Sequence, residues 1–302
     1  MAVSQVGDPQ AFDKGGAGPA TVADLASQVA ASLALRELCG PCARIVAEES
    51  WEEMEAHGAH TVVGAVVAAV KAAGFPCDER ICEEVLRSAR DEGGAEGTFW
   101  AIDPLDGTKG YLRGGQFAVA IALVHNGLPA VGVLAAPRLA LRGAEAGAGV
   151  LFGAARGHGA WQAPLPEGDP QPIQCTPWSP GMPVRLAASV EKSHSAVDQV
   201  EAVVGRIGTV QAIRMDSQAK YGLVARGCAD AYIRNSPTPG YVEHIWDHAA
   251  GALVAQEAGC TVTDLHGAPL AFHKGRGLHG NVGVLCAPPA LHARLVAAFA
   301  HP

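Results

Sequence analysis

Asp103, Asp106, Asp247 and Thr108 are the side chains of this sequence best placed by type and spacing to do chemistry. They stand in two short stretches, Asp103-Pro104-Leu105-Asp106-Gly107-Thr108 and Trp246-Asp247-His248-Ala249-Ala250-Gly251. Three carboxylates and a hydroxyl gathered at one place would suit Mg²⁺, a hard cation that takes a few carboxylates, keeps waters and bridges to phosphate. A centre of that kind serves hydrolysis of a phosphate ester by metal-activated water. An isolated Asp-Gly pair reads more simply as a turn whose aspartate caps backbone amides. The order of all six residues, with a second carboxylate stretch downstream, favours the metal site.

Something must position these groups. Thr98-Phe99-Trp100-Ala101-Ile102 is β-branched, aromatic and apolar, and predicts a buried strand ending at Asp103. Open α/β sheets present their ligand sites at such strand ends. Pro104 stiffens the turn, and Gly107 lets the backbone approach a ligand closely. Asp247 precedes a predicted helix over 249–258, where an N-cap is the simpler role for an aspartate. That helix N-terminus is also a favourable place for phosphate.

Five blocks carry a resemblance: Thr21-Val22-Ala23-Asp24, Val46-Ala47-Glu48-Glu49-Ser50, Trp100 through Gly114, Met215-Asp216-Ser217-Gln218-Ala219-Lys220-Tyr221-Gly222, and Ile245 through Gly259. In that order the chain resembles the lithium-sensitive, magnesium-dependent phosphatase superfamily of inositol monophosphatase and fructose-1,6-bisphosphatase, from about residue 19 to its end. The Lys109-to-Gly114 extension and the Asp216-to-Tyr221 block resemble the 3′(2′),5′-bisphosphate nucleotidase branch. The fold so implied is α/β, an inositol-monophosphatase-like αβαβα sandwich. The resemblance also implies a long helix ahead of Asp24, where this sequence has a short Gly-rich stretch; its loss would expose apolar surface.

By resemblance, Glu48, Asp103, Asp106 and Asp247 hold Mg²⁺, and the Leu105 carbonyl adds a ligand. Asp24 and Thr108 resemble the pair that orients and deprotonates the attacking water. His194, Ser217, Lys220 and Arg234 match nucleotide-binding positions, with Thr108 and Asp247 also facing substrate. Without the resemblance, Asp24 reads as a helix cap and Glu48 as a solvated partner of Glu49. The implied activity removes the 3′-phosphate of 3′-phosphoadenosine 5′-phosphate, and 3′-phosphoadenosine 5′-phosphosulfate is a second expected substrate. An inositol phosphate 1-phosphatase and a catalytically weak nucleotide or redox sensor are the alternatives. Inhibition by Li⁺ is also implied.

Composition sets outer bounds. A chain of 302 residues with 49% apolar content builds a sizeable core. Its net charge of −8 argues against a nucleic-acid binder, and no apolar run reaches a membrane span. Neither a secretory signal nor a transit peptide is legible, so an intracellular setting, cytoplasm or organelle, is expected, with no obligate protein partner. Eight scattered cysteines suit a reducing compartment. Cys39-Gly40-Pro41-Cys42 has dithiol spacing without the short βαβ unit of thioredoxin. It reads as a helix-ending turn, with a redox pair or a zinc site shared with Cys77 and Cys82 as the other readings.

Along the chain, helices are expected near 25–35, 58–73, 81–86, 197–205, 217–226, 249–258 and 290–300. Strands are expected at 44–47, 99–102, 117–123, 130–135, 184–188, 210–214, 231–234, 261–264 and 282–285, with a strand pair in 150–163. Asn126-Gly127 signals a hairpin. Residues 1–20 and 142–149 read as loops. The Pro-rich run 164–183 divides an N-terminal α+β domain, 1–165, carrying the metal and water-activating residues, from a C-terminal α/β domain, 166–302, carrying the nucleotide-binding residues.

Overall fold

The computed structural model describes residues 11–13, 19–141, 149–190, 196–236, 238 and 240–300. A short antiparallel ribbon, β1 (Ala11–Asp13) with β2 (Pro19–Thr21), stands where the sequence predicts only loop. Then come α1 (Val22–Cys39), β3 (Ile45–Ala47), α2 (Trp51–Ala56), α3 (Val63–Ala72), α4 (Glu79–Ser88), β4 (Thr98–Asp106) and α5 (Thr108–Leu112). The sequence reading misses α2. Ser50 caps it by accepting from the Glu53 amide, a signal legible in the Ser-x-x-Glu spacing.

β5 (Ala118–His125) and β6 (Leu128–Ala136) form the predicted hairpin, with positive φ at Asn126 (49°) and Gly127 (72°). Those are the conformations a two-residue primed turn needs. β7 (Val150–Ala155), β8 (Ala160–Pro164) and β9 (Gln171–Ile173) complete a seven-stranded sheet in the order β3-β4-β5-β6-β7-β8-β9. The predicted loop over 142–149 lies, apart from Gly149, outside the described residues.

The remaining elements are β10 (Val184–Ala188), α6 (Val197–Gly205), β11 (Val210–Arg214), α7 (Ala219–Ala225), β12 (Ala231–Arg234), α8 (Ala249–Glu257), β13 (Thr261–Thr263), β14 (Val284–Ala287) and α9 (Pro289–Ala300). Their five strands run β11-β10-β12-β14-β13.

Four apolar clusters define the layers. Val22, Leu25 and Val29 of α1 pack with α3 and α4, and Phe12 packs against the same cluster. Leu35 of α1 and Ile45, Ala47 and Ile102 join that helical layer to the larger sheet. The largest cluster runs from Phe99, Val124 and Phe152 of the larger sheet, through Tyr221 and Leu253, to Tyr232 and Cys286 of the smaller one. Helices α7 and α8 are therefore sandwiched between the sheets. A fourth cluster covers the far face of the smaller sheet with α6 and α9. The result is the αβαβα sandwich.

The middle layer is thin. A Cβ on Gly132 of β6 would lie 2.8 Å from the Ala250 carbonyl oxygen of α8, and one on Gly251 would lie 2.3 Å from the Tyr221 ring. Helix α8 can sit this close to its neighbours because small residues face them.

Candidate active site

β4 continues past Ile102 through Asp106, and its pairing with β5 is irregular between Asp103 and Asp106. That irregularity lifts the strand end out of the regular ladder and turns both carboxylates into one cavity of about 800 Å³. The Leu105 amide donates to Asp103 Oδ1 (3.2 Å), which fixes the first carboxylate against its own turn. Gly107 adopts φ 89°, a left-handed conformation. A Cβ there would lie 3.2 Å from that of Ser217, so glycine serves both the turn and the close approach of the 217 turn. Thr108 then opens α5.

Asp103, Asp106 and Asp247 each bring a carboxylate oxygen within 4.8 Å of the others. Asp103 is 1% exposed. Burial, and then the neighbouring charges of Glu48, Asp106 and Asp247, raise its carboxyl well above the ordinary range. Asp106 is also raised, by burial and Asp247, although Lys220 and the Gln218 amide pull it down. Burial and mutual repulsion favour the protonated form of crowded carboxylates, here with Lys220 opposing them at Asp106. A divalent cation relieves that repulsion, and an all-oxygen donor set suits a hard one, so the cluster is chemically fit to bind metal. Glu48 lines the same cavity.

Asp24 is fully buried, and Thr108, which lines the cavity, bonds to it. Thr108 Oγ1 lies 3.1 Å from Asp24 Oδ1 and 3.2 Å from the Leu105 carbonyl oxygen. The other oxygen, Asp24 Oδ2, accepts from the Thr21 amide (2.8 Å) and the Thr21 hydroxyl (2.5 Å). Thr21, not Asp24, is the N-cap of α1, and the two form a capping box. Sequence reasoning gives Thr21 no part in the site, although the Thr-x-x-Asp spacing signals the box.

The turn 216–220 supplies the opposite wall. Ser217 takes φ 70°, uncommon for a residue with a side chain, and its hydroxyl accepts from the Ala219 amide (3.2 Å). This turn aims the Gln218 amide at Asp106 Oδ2, and Gln218 Nε2 donates to the Trp246 carbonyl (3.1 Å). Gln218 thus cross-links the stretches that carry Asp106 and Asp247, a role the sequence does not announce. Lys220 lines the cavity, but its buried ammonium already donates to the carbonyls of Ser217 (2.6 Å) and Met215 (3.2 Å). It is more a countercharge built into the wall than a free arm for substrate.

Arg234 lines the cavity with its Nε 2.6 Å from Glu243 Oε2 and an Nη 3.9 Å from Asp247. Glu243 in turn receives His248 Nε2 at 3.3 Å, and the Tyr221 hydroxyl lies 2.9 Å from His248 Nδ1. With the proton on Nε2, His248 donates to Glu243 and accepts from the Tyr221 hydroxyl. Glu243, Asp247 and His248 have the spacing of a second cation site, but the Arg234 guanidinium already pairs with Glu243. Glu243 and His248 are residues sequence reasoning misses. Asp247 does not cap α8; His248 holds the N-cap position without a side-chain cap bond, and Asp247 faces the carboxylate cluster instead.

His194 falls outside the described residues. Among the described residues, the metal-competent groupings contain no cysteine: Cys39 and Cys42 are exposed and Cys77 and Cys82 buried, so these four do not assemble a zinc site.

A layered αβαβα chain that points a carboxylate cluster, a buried lysine and a half-buried arginine into one cavity has the build of a metal-dependent phosphate-ester hydrolase. The sequence model of the Inositol monophosphatase family matches residues 18–301. An Oryza sativa protein named 3′(2′),5′-bisphosphate nucleotidase is 38% identical over 307 residues, covering 93% of this chain and 83% of that one. One of the same name from Emericella nidulans is 39% identical over 241 residues, covering 74% and 68%. Among solved structures, Thermotoga maritima IMPase superposes with a TM-score of 0.66 at 18% identity, over 99% of this chain and 91% of that one. Extragenic suppressor protein suhB from Bartonella henselae gives 0.63 at 22%, with the same coverages. These two matches establish the fold. The chain belongs to the inositol monophosphatase family, and it is a phosphatase. No helix among the described residues is long and apolar enough to cross a membrane.

Proposed function

We propose that this protein is a Mg²⁺-dependent 3′(2′),5′-bisphosphate nucleotidase that converts 3′-phosphoadenosine 5′-phosphate to AMP and phosphate, and also acts on 3′-phosphoadenosine 5′-phosphosulfate. The observation that carries this is one cavity lined by two kinds of charge. Asp103, Asp106 and Asp247 converge at one place, and Lys220 and Arg234 stand beside them. A substrate with two phosphates needs one reactive position and one anchoring position. The names of the rice and Emericella relatives support the same substrate class.

In this proposal Glu48, Asp103, Asp106, Asp247 and the Leu105 carbonyl hold Mg²⁺, which when bound polarises the phosphoryl group and acidifies water. Thr108 orients the attacking water, and Asp24 accepts the proton passed through the Thr108 hydroxyl. Water oxygen bonds to phosphorus, the bond from phosphorus to the ribose 3′ oxygen breaks, that oxygen takes a proton from solvent water, and Asp24 returns its proton to solvent. Arg234 and Lys220 offset the charge of the second phosphate, with Ser217 and His194 beside the nucleotide.

The test is phosphate release from 3′-phosphoadenosine 5′-phosphate, inositol monophosphate and inositol 1,4-bisphosphate, with and without Mg²⁺ and with millimolar Li⁺. The expected result is Mg²⁺-dependent, Li⁺-inhibited turnover with the nucleotide preferred. A preference for an inositol phosphate of roughly tenfold or more in kcat/KM would reject the nucleotidase.

A further inference from the structure

Arg276 lies in a loop of the C-terminal half that the five sequence blocks do not include. Its contacts reach both sides of the carboxylate cluster. Its Nη2 donates to the Ala47 carbonyl (2.7 Å), and its Nη1 to the Asp91 carbonyl (3.3 Å). Ala47 is the last residue of β3 and is followed directly by Glu48. The Arg276 guanidinium carbon also lies 4.8 Å from the centre of the Trp246 ring, and Trp246 directly precedes Asp247. The main chain adds two ties: the Ile245 amide donates to the Arg276 carbonyl (3.0 Å), and the Leu278 amide to the Glu243 carbonyl (2.8 Å).

Glu48 and Asp247 come from opposite halves of the chain, about two hundred residues apart. Within the larger sheet, β3 is the three-residue terminal strand; its outer side is bonded to the 89–91 segment, and Arg276 ties both to the stretch that carries Asp247. A planar guanidinium can bond two carbonyls and lie against an indole at the same time, and a lysine ammonium cannot reproduce that combination.

We infer that Arg276 is a positioning residue that sets the separation of Glu48 from Asp247, and so the affinity of the carboxylate cluster for its cation. The inference rests on the proposed roles of Glu48 and Asp247 as metal ligands. Arg276 acts through Ala47 and Trp246.

The experiment measures Mg²⁺ binding by calorimetry on the whole chain, without substrate, for wild type, Arg276→Lys and Arg276→Met. Thermal unfolding in chelator is recorded beside it. Loss of an outer partner of metal ligands typically weakens binding about 10- to 100-fold. That loss is expected for Arg276→Met, with a smaller one for Arg276→Lys, which keeps the charge but not the fork. KM for Mg²⁺ should rise in parallel while KM for the nucleotide at saturating Mg²⁺ changes little. Wild-type Mg²⁺ affinity in a folded Arg276→Lys and Arg276→Met, or a change in melting temperature alone, overturns the inference. If Arg276→Met does not fold, Arg276→Lys decides. If wild type itself binds no Mg²⁺, the metal-site reading fails first and the inference with it.

Discussion

Arg234 and Glu243 meet at 2.6 Å in the wall of the cavity, and Glu243 is only 3% exposed. Burial alone would raise the Glu243 carboxyl. The Arg234 charge and the bond from His248 outweigh it and hold the group down to about 2, from 4.5. The cation proposed to anchor the second phosphate is therefore itself held by a buried anion.

This pair gives a pH prediction with a definite sign. A carboxyl whose folded value is depressed contributes stability above its unfolded value and loses it as pH falls through the folded one. The contribution is complete above pH 4.5 and fades toward about 2, an amount of roughly 3 kcal/mol for that difference. Urea unfolding from pH 7 to 3 should show the onset of this loss in wild type and a flatter profile in Glu243→Gln. Glu243→Gln should also raise KM for the bisphosphate more than it lowers kcat, because Arg234 loses its orienting partner. An unchanged acid limb would mean that the ion pair does not form in solution.

Asp103→Asn should separate stability from activity. Burial and the three neighbouring carboxylates raise Asp103, so its stabilising form is the protonated one, and that stability is lost as pH rises through the folded value. In chelator at neutral pH the variant should therefore melt higher than wild type. Turnover should fall about a hundred- to a thousandfold, the usual cost of roughly 3–4 kcal/mol for one lost electrostatic contact to a transferring group. Melting with and without Mg²⁺, beside kcat, checks both halves. A variant less stable than wild type in chelator would show that Asp103 serves the fold and not the cation.

Lys220 should make nucleotide binding sensitive to mildly alkaline pH. Burial pushes its ammonium down to about 8, from 10.5, with Asp106 pulling the other way. Between those values the unfolded chain holds the extra proton, so stability rises with pH across that window. Binding of an anionic substrate changes in the opposite sense as the charge is lost. KM for the bisphosphate should climb between pH 7 and 9 in wild type. In Lys220→Met it should be high and flat, with kcat also reduced because the Ser217 and Met215 carbonyls lose their donor. Parallel KM profiles for the two proteins would place Lys220 outside the binding event.

Much of the fold is legible because the elements next to the site have strong local signals. Asn126-Gly127 specifies its hairpin by conformation, and the apolar run before Asp103 specifies its strand. The carboxylates of Asp103, Asp106 and Asp247 can be read from their two stretches. Residues that act by support are harder to read. Glu243, Gln218 and Arg276 are ordinary polar residues in sequence, and their roles arise from partners 9, 112 and 229 positions away. Lys220 shows a similar gap: the sequence gives the cation, but not that backbone carbonyls of its own turn already bind it. The N-cap position before α8 falls to His248, which makes no side-chain cap bond, while the Asp247 carboxylate faces the cluster.

The thin middle layer ties chemistry to packing depth. Asp247 sits two residues ahead of α8, and α8 rests on Gly132 with no room for a methyl group. A Gly132→Ala exchange touches no charged group and lies in the core. Even so, it would act as a shim, lifting the helix and carrying one carboxylate away from the other two. In a lineage of such proteins, catalytic decline can then begin with an inconspicuous change in the floor beneath a helix, while every residue lining the cavity stays as it was.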